Sequence, residues 1–597
     1  MAENISAEAA ITLDGLFRER VRRTPDTVAY RDFNQQHANW RDYTWSQIDY
    51  QVARWQAAFE RDGLKAGDRV AVMLRNSPEW VIFDQAALGL GLIVVPLYTQ
   101  DRPDNVAYIL NDAGCKVVLF GTHEQWKSFS DVRNQLGGLI RILTVEPLVG
   151  PADDPRLKSV DLWLPESGGE TRHVPRDPQA LATIVYTYGT TGRPKGVMLS
   201  HSNILTNSNA VLQVVPVKAE DVLLSFLPLS HTFERTCGYY LTIMTGSTTA
   251  YARSVQQLAE DLQTIRPTKL ISVPRIYERV YAAIKAKLDD GPALRKRLFQ
   301  LAVDVGWARF EHAQGRAAWR PSSLLWPVLN ALVAKKIMAR LGGRLNAAFA
   351  GGAALAPEIS RVFIGLGLPV IQGYGLTETS PVVCANRPGD NLPASVGKPI
   401  PGIEVKIGDK DALLIKGPNV MLGYWNNREA TEAMIAADGW LNSGDTARID
   451  EHGHVFITGR LKEIVVMSNG QKIPPVDIET SIMRDALFEQ VMLIGEGKPY
   501  LSVMAVLNQD HWKKFAAEHN KPVDASLIGA PEIEKALLAR IAAQMEQFPG
   551  YAQVRRITAT LEPWTVENGL LTPTMKLRRS RVMEKYQAEF EQMYSGH

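Results

Sequence analysis

The sequence is poor in several features, and each shortage narrows the possibilities. It holds three cysteines in 597 residues, Cys115, Cys237 and Cys384, all far apart. They make neither a disulfide framework nor a zinc-ligand pattern, and they suit a reducing cytoplasm. Net charge is almost absent: 66 basic residues against 64 acidic ones leave +2, so there is no general nucleic-acid signature. The N-terminal text MAENISAEAAITLDGLF lacks the basic start and long apolar run of a signal peptide. The longest apolar stretch, Ala86 to Tyr98, is shorter than the ~20 residues of a membrane span and reads as a buried strand and turn. No fixed-period repeat or low-complexity tract occurs.

What is present is an ordinary globular composition, 45% hydrophobic and 22% charged. A single core stops growing near ~250–300 residues, so at least two domains are expected. From about residue 40 to 275, short β-branched runs (Arg69–Leu74, Ile93–Leu97, Lys116–Phe120, Ile140–Val145) alternate with helical stretches such as Trp45–Asp62 and Pro103–Asp112. The pattern continues through Val214–Leu229 and Lys269–Val273, and it argues an α/β fold with largely parallel sheet. Residues 275–345 are rich in Ala, Leu and Arg and are expected to form a helical insertion. Strand runs return from Leu345, and the character changes again around Gly459. The expected organisation is a large N-terminal domain of layered sheets and helices (1–459), a hinge (460–462) and a smaller, mobile α+β C-terminal domain (463–597).

The densest local signal is Tyr186-Thr-Tyr-Gly-Thr-Thr-Gly-Arg-Pro-Lys-Gly-Val197, entered from the apolar run Leu181–Val185. Gly189, Gly192 and Gly196 permit tight turns and close approach of backbone N–H groups to an anion. Thr187, Thr190 and Thr191 add hydroxyls, and Lys195 adds a positive charge. The set suits polyphosphate oxygens, yet it is neither a Walker A loop nor a dinucleotide-binding G-x-G-x-x-G. A polar hairpin between two strands is the plainer alternative.

The whole string resembles the signature of the acyl-adenylate-forming superfamily: acyl-CoA synthetases, adenylation domains and beetle luciferases. Further segments follow in that family's order: Leu227–Phe233, Gly351–Leu355, Gln372-Gly-Tyr-Gly-Leu-Thr-Glu-Thr379, Gly439–Thr446, Ile457–Glu463 and Leu571–Lys576. The resemblance implies that Thr187 and the loop to Gly196, Lys195 included, cradle the β- and γ-phosphates of ATP. It implies Glu378 and Thr187 as oxygen ligands of Mg²⁺, with Thr377 beside them. Tyr374, in the turn Gln372, Gly373, Tyr374, Gly375, is implied to stack on adenine, whose edge lies along Gly351, Gly352 and Ala353. Asp445 is implied to bind both ribose hydroxyls, Arg460 to neighbour ribose and phosphate, and Lys462 to occupy the hinge. His231 and Lys576 are implied to act near the carboxylate and α-phosphate. Ser468, Asn469 and Gly470 would line a pantetheine tunnel.

Within the superfamily the chain most resembles long-chain fatty acyl-CoA synthetases, on the insertion opening with Pro274-Arg-Ile-Tyr-Glu278, on Leu229–Arg235 and on Gly423-Tyr-Trp-Asn-Asn427. Some members carry a gating tryptophan four residues after the histidine; here that position is Arg235. The implied activity joins a fatty acid to ATP, releases pyrophosphate and transfers the acyl group to free coenzyme A. A fatty acyl-AMP ligase loading a carrier protein, a silent acyl- or nucleotide-binding protein and a luciferase-like oxidative ligase are the alternatives. Between Leu294 and Leu345 ten basic residues face two acidic ones, interleaved with Trp307, Trp319, Leu324, Leu325, Trp326, Val328 and Leu329. That mixture suits peripheral contact with an anionic membrane at its cytoplasmic face, against an insertion that packs on its own domain. Oligomeric state is open.

Overall fold

In the computed structural model, which describes every residue except 1–3, 188–192, 462, 464, 469–470, 519–527, 547 and 596–597, the β-branched runs pair into five sheets among the described residues. An eight-stranded sheet centres on Arg69–Met73, with Ile93–Pro96, Cys115–Phe120, Arg141–Thr144 and Leu181–Thr187 parallel to it. Its edge is the antiparallel hairpin Leu181–Thr187 and Lys195–Ser200, followed by Gly423–Tyr424. A nine-stranded sheet has a parallel centre of Thr248–Tyr251, Val222–Ser225, Lys269–Ser272, Ala347–Ala350 and Val370–Gly375. Large helices cover these sheets, as parallel strands buried on both faces require. The sequence expectation of α/β layering holds. The strand runs that return after Leu345 supply the first two strands of a four-stranded antiparallel sheet (Glu404–Ile407, Ala412–Lys416, Leu441–Ile449, Val455–Arg460).

One expected strand is corrected. Ala86–Tyr98 does not open as a strand: Pro78–Gly89 is a helix capped by Ser77, and Gly91 (φ 78°) turns the chain into Ile93–Pro96. The helix is buried on every side, so its apolar residues leave no period to read. Within Val214–Leu229 only Val222–Ser225 is strand, because Val214 closes the helix His201–Val214. The 275–345 region is helical, carried by Pro274–Asp289, Ala293–Ala313 and short turns from Pro321 to Leu341.

Residues 465–594 have hydrophobic cores of their own, around Phe488, Leu501, Trp512 and Leu537, and around Trp564, Val582 and Phe590. Strands Phe488–Ile494, Leu501–Leu507 and Val554–Thr560 form their sheet, the last pair parallel.

The insertion is pinned by a close helix pair. A Cβ on Gly306 of helix Ala293–Ala313 would lie 1.8 Å from the carbonyl oxygen of Gly365, which ends helix Pro357–Gly365. Gly306→Val is therefore expected to prise the helices apart and cost about 1–3 kcal/mol. A lowered chemical-denaturation midpoint is the expected reading; an unchanged one would contradict the close packing.

Candidate active site

The ends of several strands from two sheets converge on one cleft. Val370–Gly375 runs out at Tyr374, whose hydroxyl donates to Asp445 Oδ2 at 2.5 Å. Asp445 sits opposite Arg460 in the antiparallel pair Leu441–Ile449 and Val455–Arg460. Arg460 Nε donates to its other oxygen at 3.1 Å. The buried Asp445 carboxylate is thus held from two sides, and Arg460 also reaches Glu463 at 3.8 Å.

Ala347–Ala350 delivers Gly351, Gly352 and Ala353 beside this node. A Cβ on Gly351 would stand 3.0 Å from the Phe233 ring, and Gly352 has φ 81°, so this segment has room only for small residues. Gln372 is buried with its side chain engaged: it accepts from Leu355 N–H at 3.1 Å and donates to the Pro393 carbonyl at 2.5 Å. Its side chain shapes the Gly351–Leu355 segment. Gly373 and Gly375 lie on the same strand, and a Cβ on Gly375 would meet the Pro381 carbonyl oxygen at 1.9 Å.

Thr187 and Lys195 face each other across the mouth of the hairpin, so the glycine-rich loop does join two strands. Gly189, Thr190, Thr191 and Gly192 lie outside the described residues, as do Lys462, Asn469 and Gly470. The hairpin is tied to the turn Thr377–Thr379 through Met421 and Leu422: Leu422 N–H donates to the Met198 carbonyl at 3.0 Å, and Met421 N–H to that of Glu378 at 2.9 Å. Tyr424 then touches both sides. Its hydroxyl donates to Glu378 Oε1 at 2.7 Å, and Lys195 Nζ lies 5.1 Å over its ring. Thr377 Oγ1 and Thr232 Oγ1 stand 3.5 Å apart, linking this turn to the histidine segment.

Glu378 makes no ion pair among the described residues, and no cluster of three or more metal-ligating side chains occurs among them. One carboxylate with no cationic partner and no protein cage fits Mg²⁺, which keeps its waters and takes most ligands from phosphates. The donor set does not fit zinc, which wants three or four nitrogen or sulfur ligands.

His231 Nδ1 accepts from Phe233 N–H at 3.2 Å, which assigns the proton of the neutral ring to Nε2. Burial, and next the positive charge of Lys576, push its pKa down to about 4, so the ring is neutral at physiological pH. Arg235, one helical turn on, does not face the cleft. It is buried, pairs with the buried Asp84, donates to Thr183 Oγ1 at 2.7 Å and lies over Trp80. Tyr240 donates to the same Asp84 at 2.7 Å. Arg235 therefore anchors the helical segment that follows His231 to the eight-stranded sheet and to helix Pro78–Gly89.

Lys576 comes from the C-terminal part. Its loop is a tight turn in which Thr572 N–H donates to the Lys576 carbonyl at 2.8 Å, with Met575 at φ 62°. The buried Glu479 accepts both 2.6 and 2.7 Å bonds from Arg579 and fixes the base of that loop. Lys576 is exposed as a residue, yet surrounding protein atoms and then Arg460 lower its pKa. Asp445, Glu378 and Glu463 pull the other way, so all of these charges share one cleft. The sequence-derived set Glu378, Tyr374, Asp445, Arg460, His231 and Lys576 is brought together, although its members span 231 to 576. Tyr424 and Glu463 carried no assignment in the sequence, because their partners become visible only when the turns meet in space.

Residues 17–425 match the family described as AMP-binding enzyme, and residues 462–597 match the AMP-binding enzyme C-terminal domain. The chain is 30% identical over 588 residues to a Mycobacterium bovis protein named long-chain-fatty-acid–CoA ligase FadD15, covering 97% of this chain and 96% of that one. It is 28% identical over 623 residues to an Arabidopsis thaliana protein named long-chain-fatty-acid–[acyl-carrier-protein] ligase AEE15, chloroplastic, covering 92% and 82%. Among solved structures, the adenylation domain of a carboxylate reductase from Mycobacterium chelonae shares the fold, with TM-score 0.77 at 21% identity over 98% of this chain and 91% of that one. On the extent of both domain matches, the chain belongs to the AMP-binding enzyme family.

Proposed function

We propose that the chain is an ATP-dependent long-chain fatty acid–CoA ligase. The observation that carries the reading is the meeting of Lys576 with Asp445, Arg460, Glu378 and His231 in one cleft. In the first step a carboxylate oxygen of the fatty acid bonds to the α-phosphorus of ATP, and the bond to pyrophosphate breaks. Positioning and electrostatics carry such transfers. Asp445, freed from Tyr374, accepts from the two ribose hydroxyls, with Arg460 Nε holding the carboxylate in place. Tyr374 covers adenine, and Gly351, Gly352 and Ala353 border it. Thr187, Lys195 and the loop between them hold the phosphates. Glu378 and Thr187 would hold Mg²⁺ through their oxygens, and the ion would supply positive charge beside the pyrophosphate. His231 donates from Nε2 to the carboxylate or α-phosphate, and Lys576 bridges the two reactants, aligning them as well as lowering the charge.

In the second step the CoA thiol attacks the acyl carbonyl and AMP leaves. We place the hinge at 460–462, between the domains 1–459 and 463–597, and assign it a rotation that withdraws Lys576 and admits the thiol. We place the protein in the cytoplasm, in peripheral contact with a membrane from which a long-chain acid can be drawn; no helix among the described residues is long and apolar enough to cross one.

The defining experiment measures pyrophosphate from Mg-ATP with acids from acetate to oleate, with and without CoA, and identifies the products by mass. Acyl-CoA rising with chain length is the expected result. Acyl-AMP accumulating despite CoA would assign the protein to carrier loading, and no pyrophosphate with any acid would reject the reading. Lys576→Ala should slow pyrophosphate release by roughly 10²–10³-fold, as loss of one transition-state donor does. Thioester formation from supplied acyl-AMP should stay within a few-fold; equal loss in both steps would argue against a role confined to adenylation. Tyr424→Phe removes the hydroxyl that orients Glu378. It should weaken the apparent affinity for Mg²⁺ by about 10–100-fold at unchanged fatty-acid KM, the scale for groups that orient metal ligands; an unchanged Mg²⁺ titration would contradict it.

The neutral state of His231 has its own signature. A pKa lowered to about 4 means the unfolded chain binds a proton that the folded chain refuses between the ordinary histidine value and pH 4. That group's contribution is thus retained above this window and lost as pH falls through it. His231→Asn should gain stability relative to the parent over the same fall in pH, read from paired denaturation curves; a pH-independent difference would show that the ring is not held neutral.

A further inference from the structure

The helical insertion presents an apolar face that no described residue covers. From Pro321 to Leu341 the chain runs as a series of short helical turns against helix Ala293–Ala313. Its inner side is spent on that contact: Leu329 and Ala334 are buried, with Trp326, Val333 and Ile337 packed beside them. Its outer side keeps Leu324 at 74% exposure, Val328 at 59%, Trp319 at 52%, Leu332 at 50% and Leu325 at 49%. Single exposed hydrophobics need no explanation, but five within fourteen residues of one surface segment do.

Charge around this face is one-sided. Between Glu311 and Glu358 the sequence contains no acidic residue. Arg316 is paired with Glu311 at 2.8 Å and Arg309 lies over Trp326, so both are engaged. Arg320, Lys335, Lys336, Arg340 and Arg344 are exposed and make no ion pair among the described residues. Burial of the outer side against the rest of the chain, one of the two readings of the sequence, accounts for the inner residues alone.

We propose that the 319–344 face docks on an anionic lipid surface, with Leu324, Leu325, Val328, Leu332 and Trp319 entering the interfacial layer and the five free bases meeting lipid phosphates. The chemistry selects this occupant. A polyanion such as RNA would satisfy the bases but leave the leucines and valine without apolar partners. A second copy docking by the same patch, as two-fold pairing requires, would set like charges against each other. A bilayer of anionic lipid supplies both acyl chains and negative headgroups, and basic residues near it bind more tightly at low salt. The face also has a firm base: through helix Ala293–Ala313 it rests on Pro357–Gly365, the crossover between the strands that end at Gly351 and Tyr374. Docking would therefore hold the membrane against the sheet that builds the nucleotide cleft.

The test is co-sedimentation of the full chain with phosphatidylcholine vesicles, with and without phosphatidylglycerol, over a salt series. Binding that requires phosphatidylglycerol and falls with salt is expected. Replacing Lys335, Lys336 and Arg340 together by Gln should weaken it roughly a hundredfold at low salt, from about fivefold per base. Replacing Leu324, Leu325 and Val328 by Asn should reduce it at every salt concentration. Unchanged thermal midpoints show that both variants keep the fold, and a parallel triple substitution on the opposite face controls for general damage. Binding to neutral and anionic vesicles alike, no binding to either, or full binding by both variants would overturn the proposal. So would sedimentation velocity showing a dimer that the Asn variant dissociates, which would assign the face to a second copy. None of these readings uses catalysis, so they stand or fall apart from the ligase assignment.

Discussion

A carboxylate removed from water costs several kcal/mol unless its oxygens are satisfied, and Asp445 is such a group at 4% exposure. Its satisfaction organises the cleft. One oxygen takes a hydrogen bond from Tyr374, at the end of a strand in the nine-stranded sheet; the other takes one from Arg460, its neighbour across the antiparallel sheet. The Lys576 charge arrives from a third body of structure with its own cores. The proposed nucleotide site therefore lies where these three pieces agree about the position of one carboxylate. The same arrangement explains why the ligand-facing residues lie on strand ends and turns rather than in helices: sheet registers fix the ends of strands to a fraction of a residue, whereas a side chain on a loop would add its own freedom.

A second buried ion pair carries the other half of the site. Arg235 and Asp84 are separated by 151 residues and are both almost wholly enclosed. Breaking such a pair by removing one partner leaves an uncompensated charge inside the protein, which costs about 3–5 kcal/mol. Tyr239, Tyr240 and Thr183 add hydrogen bonds to it, while Arg235 Nε keeps no hydrogen-bond partner among the described residues. The segment fixed in this way begins with His231, whose Nδ1 is already engaged by the backbone of Phe233. The position where some long-chain enzymes have a gating tryptophan is here part of the scaffold, and any gate on the fatty-acid path must be made by other residues.

The sequence disclosed what is encoded in contiguous motifs. Strand ends, the hairpin mouth at Thr187 and Lys195, the Gly351 segment and the cluster around Glu378 are each written in a few neighbouring residues, and the family order ties them together. It could not disclose partners that meet through space. Tyr424 stands 46 residues from Glu378, and neither residue names the other. The end of helix Pro78–Gly89, residues 86–89, reads as strand for a related reason. Buried on all sides, the helix has no polar face, so helical and strand periods look alike, and only the later need to bury Asp84 beside Arg235 explains why a charge belongs in it. The insertion lay between these cases: its helices were legible, but only packing could separate the inner residues Leu329 and Ala334 from the outer residues Leu324 and Val328.

The contacts that hold the C-terminal part over the cleft differ in kind from those that hold each part together. Within residues 465–594, Glu479 and Arg579 form a shielded double hydrogen bond and the strands enclose an apolar core. Across to the N-terminal part, Arg484 meets Glu358 at 3.3 Å with both side chains substantially exposed, and an exposed pair of that sort contributes about 0–1 kcal/mol. The charge of Arg578 acts on Asp101, whose pKa burial raises to about 6, so a second electrostatic link crosses between the parts. Rigid bodies joined by exchangeable charges suit the proposed rotation, in which the loop bearing Lys576 would arrive intact and leave without breaking a core. The proposed membrane face lies wholly on the other body, so anchoring there would fix the nucleotide cleft in place while leaving the carrier of Lys576 free to swing.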